Sequence, residues 1–561
     1  MGYWTFIIVV VAIVLFIFFE GSIRSRKLKE QYRQKLLDDY GKQNTEELGA
    51  DDVKRIGLYH IRYAKNDPPV FCIDDITWND LAMDDIFTSI DTCSSSIGEE
   101  ELYHRLHCPV LSGDPAYDHF CELREYFDSH EQERIRIQEI LHDIGINRKT
   151  SITKIYDYVE VLKAESNFRH YIMAGLMLIS IILIFIKPGP GVILFLIAMF
   201  VSIGSYLKTK KEIEPLIITF NYTAKMIRAC ERLKGAAPDV LSSDMELLAG
   251  FCRPLHGILN KSVWISSGSV SMDNPVMLLL EYIKMMFHID LIIMNGLIGL
   301  VKAHISEING MRRVLGGIDA SIAAGSYKRS LISSCVPEFD DADSAVLHVK
   351  GCIHPLVKKP VANSIDTEGA VLLTGSNASG KSTFLKSIAI SALLAQTLGF
   401  TTCDEYRASR FRIYTSMALN DSIRNGESYF IVEIKSIKRI IDSAAGAPVL
   451  CCIDEVLRGT NTVERIAAST QILKSLLRPG FIPFAATHDI ELTHLLDGKY
   501  SNYHFEEEVN GNDIRFNYQL MEGRAESRNA IKLLGVMDYD RTLIDDAEKL
   551  VEHFMSTGNW Q

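Results

Sequence analysis

Three long apolar stretches interrupt a chain that otherwise mixes hydrophobic and polar positions. The first runs from Tyr3 to Phe19, seventeen uncharged and almost wholly apolar residues. At about 1.5 Å per residue, this length is near the minimum for a helix that crosses a bilayer. A signal peptide is the alternative, but the basic residues follow the stretch instead of preceding it. The pattern therefore predicts a transmembrane helix over 1–20 with the N-terminus outside and the rest in the cytoplasm.

The second and third stretches form a pair. Tyr171 to Ile186 and Val192 to Leu207 contain no charged residue, and a Lys-Pro-Gly-Pro-Gly sequence separates them. Proline and glycine interrupt helices, so this sequence predicts a turn. Basic residues lie beyond both outer ends of the pair. We therefore expect a transmembrane hairpin over 171–207 with both outer ends in the cytoplasm. A buried helical hairpin in a soluble core is the alternative.

The remaining helical patterns contain enough polar residues for helices that are exposed to water. The sequence predicts a polar juxtamembrane segment over 21–80 and a helical core or lever region over 81–340 that contains the hairpin. Met277 to Val301 is also apolar, but four ionisable residues interrupt it: Glu281, Lys284, His288 and Asp290. Because ionisable groups are costly at mid-bilayer, a core helix is expected here instead of a fourth span.

From about Ser344 the pattern changes to short β-rich runs that alternate with helices. The runs are Ala345 to Lys350, Ala370 to Thr374, Arg412 to Thr415, Val449 to Ile453 and Ile482 to Ala486. Such alternation predicts a mainly parallel sheet covered by helices over 341–561. The expected fold is thus an α/β domain preceded by an all-α region with transmembrane helices.

The clearest chemistry lies at the first of the buried runs. An apolar segment leads into GSNASGKS, which fits the phosphate-loop pattern G-x-x-x-x-G-K-[ST], and a helical pattern follows. Backbone N–H groups of such a loop surround a phosphate at a helix N-terminus, while Lys381 reaches the β and γ phosphates and Ser382 ligates Mg²⁺. A chance Gly/Ser turn before a helix is the alternative. The predicted nucleotide-binding residues are Gly375, Ser376, Asn377, Ala378, Ser379, Gly380, Lys381, Ser382 and Thr383.

Two further strand ends carry polar groups. The run Pro448 to Ile453 ends in Asp454 and Glu455, and the next run is followed by His488. Asp454 can hold the Mg²⁺ environment, and Glu455 can orient or deprotonate an attacking water. An exposed acid pair is the alternative for the first, and a structural histidine for the second.

Composition limits the partners. The net charge of −12 argues against broad nonspecific binding of nucleic acid, although a local basic groove is compatible with it. Eleven cysteines are scattered with no C-x-x-C pair, so the spacing predicts neither a zinc site nor a disulfide framework. A reducing cytosol fits this usage for the soluble part.

Four segments together resemble motifs of the MutS mismatch-repair ATPases, in the same order and at similar spacings. They are GSNASGKST (375–383), SYFIVEI (428–434), IDEVLRGTNT (453–462) and ATHDIELT (486–493). Three further segments are similar to the short lead-in, the C-terminal dimerisation helices and the start of the helical core of that family: IHP (353–355), LLGVMDYDRTLIDDAEKL (533–550) and DTCSSSIGEEELYHRLHCPV (91–110). The L-S-G-G-Q signature of the related ABC transporter ATPases is absent from the sequence.

The resemblance implies roles for single residues. Lys381 would bind phosphate, Ser382 and Asp454 would organise Mg²⁺, Glu455 would be the catalytic base, and His488 would contact the γ-phosphate. Asn377 would line the loop, Ser428 would reach the nucleotide of the other subunit, and Arg458 to Thr462 would form a subunit-interface loop. ATP and Mg²⁺ are then the cofactors, a homodimer forms through the ATPase domain, and DNA is the implied partner.

The sequence also departs from the mismatch-detecting members of that family. Its first eighty residues leave no room for their N-terminal F-x-E wedge domain or connector, and no DNA clamp is evident. Phe120-Cys121-Glu122 fits F-x-E only by chance within the helical region. The main hypothesis is a membrane-anchored MutS-like ATPase that couples ATP to dimer geometry and binds DNA. The alternative is an ATP-dependent membrane switch or scaffold that binds a protein partner, and a transport ATPase is a weaker third.

Overall fold

Helices alone build one part of this protein, and helices with two sheets build the other. The computed structural model describes residues 23, 26–66, 69–148, 150–162, 166–265, 282–340, 345–376, 378–417, 429–443, 448–458, 460–510, 513–525, 531, 534 and 539–560. The predicted first transmembrane helix over 1–20 lies outside the described residues. Contacts divide the chain into a helical unit, Met1–Asn66 with Asp91–Tyr103 and Glu122–Arg329, and a sheet unit, Asp67–Ile90 with His104–Cys121 and Ser330–Gln561.

The helices that precede the sheets are as follows. Residues 26–39 are helical. They are followed by α1 (Ala50–Asn66), α2 (Asp75–Asp80), α3 (Met83–Ile90), α4 (Ser96–His107), α5 (Pro115–Ser129), α6 (Glu131–Ile144), α7 (Ile152–Val161), α8 (Phe168–Ile186), α9 (Pro188–Leu233), α10 (Ser242–Cys252), α11 (His256–Ile265), α12 (Ile289–Ala303) and α13 (Ile305–Ser330). Short 3₁₀ turns, Asp239–Leu241 and Arg253–Leu255, flank α10.

The polar juxtamembrane segment packs on the helical unit. After the helical residues 26–39, the Tyr40 hydroxyl donates to Asp128 Oδ1 at 3.0 Å, and the guanidinium of Arg134 lies 3.4 Å from the centre of the Tyr40 ring. The backbone N–H of Gly41 donates to Ser326 Oγ at 3.0 Å. These contacts fix the chain that follows the first apolar stretch against α5, α6 and α13.

The apolar pair forms an antiparallel hairpin of α8 and α9. Phe168–Ile186 and Pro188–Thr209 are both long and apolar enough to cross a membrane, and most of each lies outside the protein core. The turn is shorter than the sequence indicates, because α9 starts at Pro188 and only Lys187 separates the two helices. Proline is well tolerated in the first turn of a helix, where its missing N–H has no intrahelical partner.

The second hairpin helix continues far beyond the apolar stretch. α9 has 46 residues, and its last part enters the core of the helical unit, where Phe220 and Ile227 are fully buried. They pack with Leu141, Tyr156 and other apolar side chains of α6, α7, α12 and α13. One continuous helix therefore joins the apolar hairpin to the packed core.

The interrupted apolar region 277–301 lies partly outside the described residues. Within the described part, Lys284, His288 and Asp290 are buried, and the Tyr206 hydroxyl donates to Asp290 Oδ2 at 2.5 Å. α12 and α13 are bent by 76°, and as a pair they would also be long and apolar enough for a span. Hydrogen bonds within the protein offset the cost of burying ionisable residues. This arrangement fits the core helix that the sequence predicts.

The sheet unit contains two sheets. Its strands are β1 (Glu338–Phe339), β2 (Leu347–Cys352), β3 (Asn363–Thr367), β4 (Val371–Thr374), β5 (Glu405–Ala408), β6 (Arg412–Ser416), β7 (Val449–Asp454), β8 (Phe481–Ala486), β9 (Ser501–Asn510) and β10 (Asp513–Glu522). Its later helices are α14 (Lys381–Leu398), α15 (Tyr429–Ile441), α16 (Thr462–Ser475), α17 (Ile490–Leu495) and α18 (Arg541–Thr557). The small sheet has the order β1-β5-β2-β3, and the large sheet has the order β10-β9-β4-β8-β7-β6.

The large sheet confirms the predicted mainly parallel arrangement. β9, β4, β8, β7 and β6 pair in parallel, whereas β10 returns antiparallel along β9 as an edge hairpin that the sequence analysis did not anticipate. β4 and β7 are buried at every position, as expected for strands covered on both faces.

The sheet unit includes residues that lie far before position 341, where the sequence predicts the α/β domain to begin. Residues 67–90 belong to it by their contacts. The buried carboxylate of Asp80 on α2 accepts hydrogen bonds from Thr415 Oγ1 at 2.7 Å and from Met417 N at 2.9 Å. These bonds fasten α2 to the end of β6, so the polar stretch before residue 81 is part of a folded domain.

A buried ion pair crosses the helical unit. Arg312 Nη2 donates to Glu100 Oε2 at 2.6 Å and to Thr153 Oγ1 at 2.7 Å. Both charged side chains are only 1% exposed. The guanidinium also lies about 5 Å from the ring centres of Tyr59 and Tyr156. Four separate helices thus meet at one arginine.

Removing one partner of this pair should destabilise the helical unit strongly. Glu100→Ala leaves the Arg312 charge buried without its carboxylate, so we expect a loss of about 3–5 kcal/mol. A fall of the thermal midpoint on the order of 10 °C in detergent would follow. Lys42→Ala is the control, because its exposed pair with Asp39 at 3.7 Å should contribute less than about 1 kcal/mol. Equal midpoints for the two variants would contradict the assignment.

Candidate nucleotide-binding site

Three neighbouring parallel strands end at the same edge of the large sheet. β4 pairs with β8, and β8 pairs with β7. Because ligand sites of open α/β sheets form beyond the carboxyl ends of the strands, the residues that follow β4, β7 and β8 meet there. The backbone N–H of Thr487 donates to Leu373 O at 2.9 Å and ties the end of β8 to β4.

The phosphate loop connects β4 to α14. Gly375 has φ +143° and Gly380 has φ +111°, values that side-chain-bearing residues rarely adopt. A Cβ at Gly375 would lie 2.7 Å from the carbonyl oxygen of Phe505, so the loop also needs glycine for space. α14 starts directly after Gly380, at Lys381. The positive end of its dipole therefore faces the concave side of the loop, which favours an anion.

Lys381 lies across this loop. Its ammonium group donates to the carbonyl oxygens of Gly375 at 2.8 Å and Ser376 at 2.7 Å. The side chain is buried, and burial lowers its pKa from the usual value to about 8, against the opposing effect of Asp454 and Glu455. A buried ammonium whose described hydrogen bonds go to neutral carbonyls would gain from an anionic ligand.

Ser382 and Asp454 form the predicted magnesium-binding pair. Ser382 Oγ donates to Asp454 Oδ2 at 2.5 Å, which joins the start of α14 to the end of β7. A hydroxyl and a carboxylate oxygen are donors that Mg²⁺ accepts, with waters and phosphate oxygens completing the coordination. In the same loop the buried Ser379 hydroxyl has no hydrogen-bond partner among the residues that the structure describes. The donor set and this orphaned polar atom fit a bound magnesium nucleotide.

Glu455 and His488 meet beside this pair. His488 Nε2 lies 2.9 Å from Glu455 Oε1, and Arg458 Nε lies 2.7 Å from Glu455 Oε2. The hydrogen bond from His488, with the charge of Arg458, lowers the pKa of Glu455 below its usual value. Glu455 is therefore ionised at neutral pH and can accept a hydrogen bond from water.

The backbone after β7 is strained. Glu455 and Leu457 both have φ +61°, in the left-handed region that non-glycine residues avoid. The buried carboxylate of Glu433 on α15 accepts from Leu457 N at 2.7 Å and from Arg458 N at 3.3 Å. Burial raises the pKa of Glu433, and these two bonds oppose that rise. Glu433 thus holds the loop that carries Glu455 in its strained shape.

A cavity of about 310 Å³ opens beside Gly380. Its lining includes His354 of the predicted lead-in segment, Thr383, Asn363 and Tyr518. Asn363 donates to Tyr518 O at 3.0 Å and accepts from Leu520 N at 2.7 Å, which fixes the irregular part of β10 against β3. A mainly apolar cavity next to a phosphate loop has room for an organic group attached to the phosphates.

The structure brings most predicted site residues together. Ser376, Ala378, Ser379, Lys381 and Ser382 lie in or next to the loop, with Asp454, Glu455 and His488 at the same sheet edge. Asn377 and Ser428 lie outside the described residues. Arg458, predicted in a subunit-interface loop, contacts both acids of its own chain. Its Nε lies 2.7 Å from Glu455 Oε2 and its Nη2 lies 3.6 Å from Asp454 Oδ2, and Nη2 also donates to the backbone carbonyl of Asp454 at 2.9 Å.

Sequence reasoning missed two carboxylates of the site. Glu433 lies in the segment SYFIVEI, but the motif alone predicts no function for it. A glutamate among apolar residues nevertheless indicates a buried carboxylate that is hydrogen-bonded. Glu507 of β9 accepts from Ser376 Oγ at 2.7 Å. It lies more than a hundred residues from the loop in sequence, and no local signal identifies it.

A phosphate loop on a buried parallel strand, with an acidic strand end beside it, defines the class of P-loop nucleotide-binding domains. Residues 371–555 of this chain match the family model described as MutS domain V. Residues 371–555 are therefore similar to the MutS ATPase domain, as the sequence motifs indicate.

Curated relatives agree with this assignment. Human "MutS protein homolog 4" is 30% identical over 290 residues, covering 48% of this chain and 30% of that protein. "DNA mismatch repair protein MutS" of Natronomonas pharaonis is 31% identical over 264 residues, covering 45% and 30%. The protein of the same name from Thermus aquaticus is 29% identical over 258 residues, covering 45% and 31%. The chain thus spans about 30% of the length of the curated relatives that it matches.

Nucleotide binding should weaken at alkaline pH because of Lys381. Its pKa of about 8 means that the free protein loses the ammonium charge above pH 8, so binding of a polyphosphate must then take up a proton. We expect the affinity for ATP to fall by up to about tenfold per pH unit above pH 8. Titration of a fluorescent ATP analogue between pH 7 and 10 measures this.

Lys381→Arg is the matched control for that titration. An arginine keeps its charge over the whole range, so the pH slope should disappear even if its shape lowers the affinity at every pH. An unchanged slope in Lys381→Arg would show that another group titrates.

Proposed function

We propose that the sheet unit binds ATP with Mg²⁺ and hydrolyses it to ADP and phosphate. The observation that carries this proposal is the bond of Ser382 to Asp454 at 2.5 Å, with the Glu455–His488 contact of 2.9 Å beside it. A phosphate-loop residue and two strand ends, distant in sequence, thereby face one another in the arrangement that phosphoryl transfer to water requires.

The residues act mainly through charge and position. Lys381 exchanges its loop carbonyls for phosphate oxygens, and the N–H groups of the loop donate hydrogen bonds to further phosphate oxygens. Ser382 and Asp454 would hold Mg²⁺, which would neutralise charge that develops on the β and γ phosphates. The cavity lined by His354 and Tyr518 receives the nucleoside.

Glu455 orients the attacking water. Its carboxylate is ionised and is held from two sides by His488 and Arg458. When the water oxygen bonds to the γ-phosphorus and the bond to the ADP oxygen breaks, Glu455 takes up the water proton. His488, 2.9 Å from Glu455 Oε1, holds that carboxylate in position and would contact the γ-phosphate, as the family resemblance implies. Arg458 offsets the negative charge of the two neighbouring acids, which would otherwise repel a polyphosphate.

At the level of the whole protein, we propose a homodimer that is anchored in a membrane and responds to ATP. Ser428 would reach the nucleotide of the other subunit, and the ATPase domain would lie in the cytoplasm, with the N-terminus outside. Two hairpin helices of suitable length and apolarity support the anchor. The relatives named as DNA mismatch repair proteins support DNA as the partner of the helical region.

An ATP-dependent switch or scaffold that binds a protein is the second candidate. The net charge of −12 favours it, because proteins that bind DNA broadly carry a positive surface. In both cases ATP binding changes the geometry of the dimer, so the two candidates differ only in the partner of the helical unit.

Two substitutions test the site assignment. Lys381→Ala should weaken nucleotide binding, and Glu455→Gln should preserve binding while lowering turnover at least about a hundredfold. Steady-state phosphate release and equilibrium ATP binding measure the two effects separately. The control, Glu491→Gln, replaces an exposed carboxylate on α17 by a carboxamide. This variant should keep normal turnover. Normal turnover in both site variants would refute the assignment.

Stimulation by DNA separates the two candidate functions. We expect the ATPase rate in nanodiscs to change with homoduplex, mismatched or branched DNA, and the change to weaken as salt rises. The measurement compares each DNA at two salt concentrations, with Glu455→Gln as a background control. A rate that is indifferent to every DNA at low salt would favour the protein-binding switch.

A further inference from the structure

Two buried histidines meet where the apolar hairpin joins the rest of the helical unit. His170 lies in the first turn of α8, and His288 lies directly before α12. Their Nδ1 atoms are 2.9 Å apart, and the two residues are only 5% and 0% exposed. The two residues are 118 positions apart in the chain, so no local sequence pattern connects them.

A backbone carbonyl determines where the protons of this pair lie. His288 Nε2 is 3.1 Å from the carbonyl oxygen of Ser202 on α9, and a carbonyl oxygen can only accept a hydrogen bond. Nε2 therefore carries a hydrogen, so Nδ1 of a neutral His288 has a lone pair and accepts. The hydrogen between the two rings then belongs to His170, whose Nδ1–H donates to His288 Nδ1.

The pair accommodates one additional proton but not two. Protonation of His170 at Nε2 leaves its Nδ1–H in place and strengthens the bond to His288. A second proton can go only to Nδ1 of His288, because the other nitrogen of that ring already carries a hydrogen. Two N–H groups on two cations would then face each other across 2.9 Å, and the contact would have to open.

Other polar contacts join the same parts of the helical unit. Ser202 Oγ donates to Met286 O at 2.8 Å, and the Tyr206 hydroxyl on α9 donates to Asp290 Oδ2 at 2.5 Å. His288 has φ +54°, a left-handed conformation that persists where the surrounding structure holds it. The histidine pair thus belongs to a set of contacts that keep the hairpin on residues 282–290.

The groups around the pair favour its neutral form at pH 7. Burial lowers the pKa of His288 below its usual value, against the opposing effects of its bond to the backbone carbonyl and the charge of Asp290. Arg169 on α8 lowers this pKa further. Lys284, one helical turn before His288, is also buried, and the ring centre of Tyr206 on α9 lies 6.0 Å from that of His288. The bonded pair is therefore the state of the protein at neutral pH.

We propose that the His170–His288 pair is a pH-sensitive contact between the apolar hairpin and residues 282–290. At neutral pH the bonded pair holds α8 and α9 against this segment. In acid, the second protonation separates the two rings and releases the hairpin from the segment. The contact has its full stability above about pH 6.5, the usual pKa of histidine, and loses it as the pH falls below that value. Each proton that only the separated state binds changes the ratio of the two states by up to about tenfold per pH unit.

Hydrogen–deuterium exchange of the full-length protein in nanodiscs tests the proposal. Exchange is measured in peptides covering 168–176 and 282–292 at about pH 5 and about pH 7.5, on either side of the usual pKa of histidine, and is corrected for the pH dependence of the chemical step. We expect the protection of both peptides to fall at least about tenfold in acid and to return at neutral pH, while α6 and α7 stay protected. Unchanged protection of the two peptides, or a loss that includes α6 and α7, would overturn the proposal.

His170→Asn distinguishes the pair from other effects of acid. The asparagine amide can turn either its N–H group or its oxygen toward His288, so it matches both the neutral and the protonated ring. Protection of the 282–292 peptide should therefore no longer fall in acid. An acid response equal to that of the parent protein would contradict the proposal.

His256→Asn is the matched control for this variant. His256 is an exposed histidine of α11 that lies 3.5 Å from Glu231, outside the buried pair. Its replacement should leave the acid response of the parent protein unchanged, and an abolished response would overturn the assignment to His170 and His288. Circular dichroism at neutral pH reports whether both variants are folded. The comparison of the parent protein at two pH values decides the question even where His170→Asn does not fold.

Discussion

The parallel pairing of β4, β8 and β7 is the constraint on which the nucleotide site depends. Parallel strands expose their carboxyl ends at one edge, so three segments far apart in the chain deliver their polar residues to one place. The hydrogen bond from Ser382 to Asp454 then closes the arrangement across 72 positions of sequence. A shift of one residue in the pairing would turn these side chains to the other face of the sheet.

The close approach of charged side chains at this sheet edge requires that their charges balance, and it is accompanied by backbone strain. Lys381, Asp454, Glu455, Arg458 and His488 occupy a partly buried volume, where isolated charges would be costly. Each is satisfied by another member or by the backbone. The left-handed conformations at Glu455 and Leu457 persist because Glu433 binds the N–H groups that follow. The site therefore stores local strain where a water-orienting group must be placed accurately.

The sequence predicted the parts of the fold that local patterns determine. The phosphate loop, the acidic end of β7 and the apolar hairpin follow from spacing, turn-forming residues and uninterrupted apolar runs. The sequence predicted a longer hairpin turn than the structure has, because proline and glycine can start a helix as well as end one. The edge strand β10 and the contact of Glu507 with the phosphate loop did not follow either. They depend on contacts between distant segments, which leave no period or motif in the sequence.

The 46-residue α9 has a mechanical consequence. A continuous helix rises about 1.5 Å per residue, so the part beyond Thr209 is a stiff arm about 36 Å long. A bilayer whose thickness differs from that of the apolar segment is accommodated by tilting the helix. A tilt of about 10° at the apolar part displaces the far end of such an arm by about 6 Å, if the helix stays straight. With the hairpin in a bilayer, as proposed, the packing around Phe220 and Ile227 would either resist that torque or yield to it, and the core of the helical unit would be sensitive to membrane thickness.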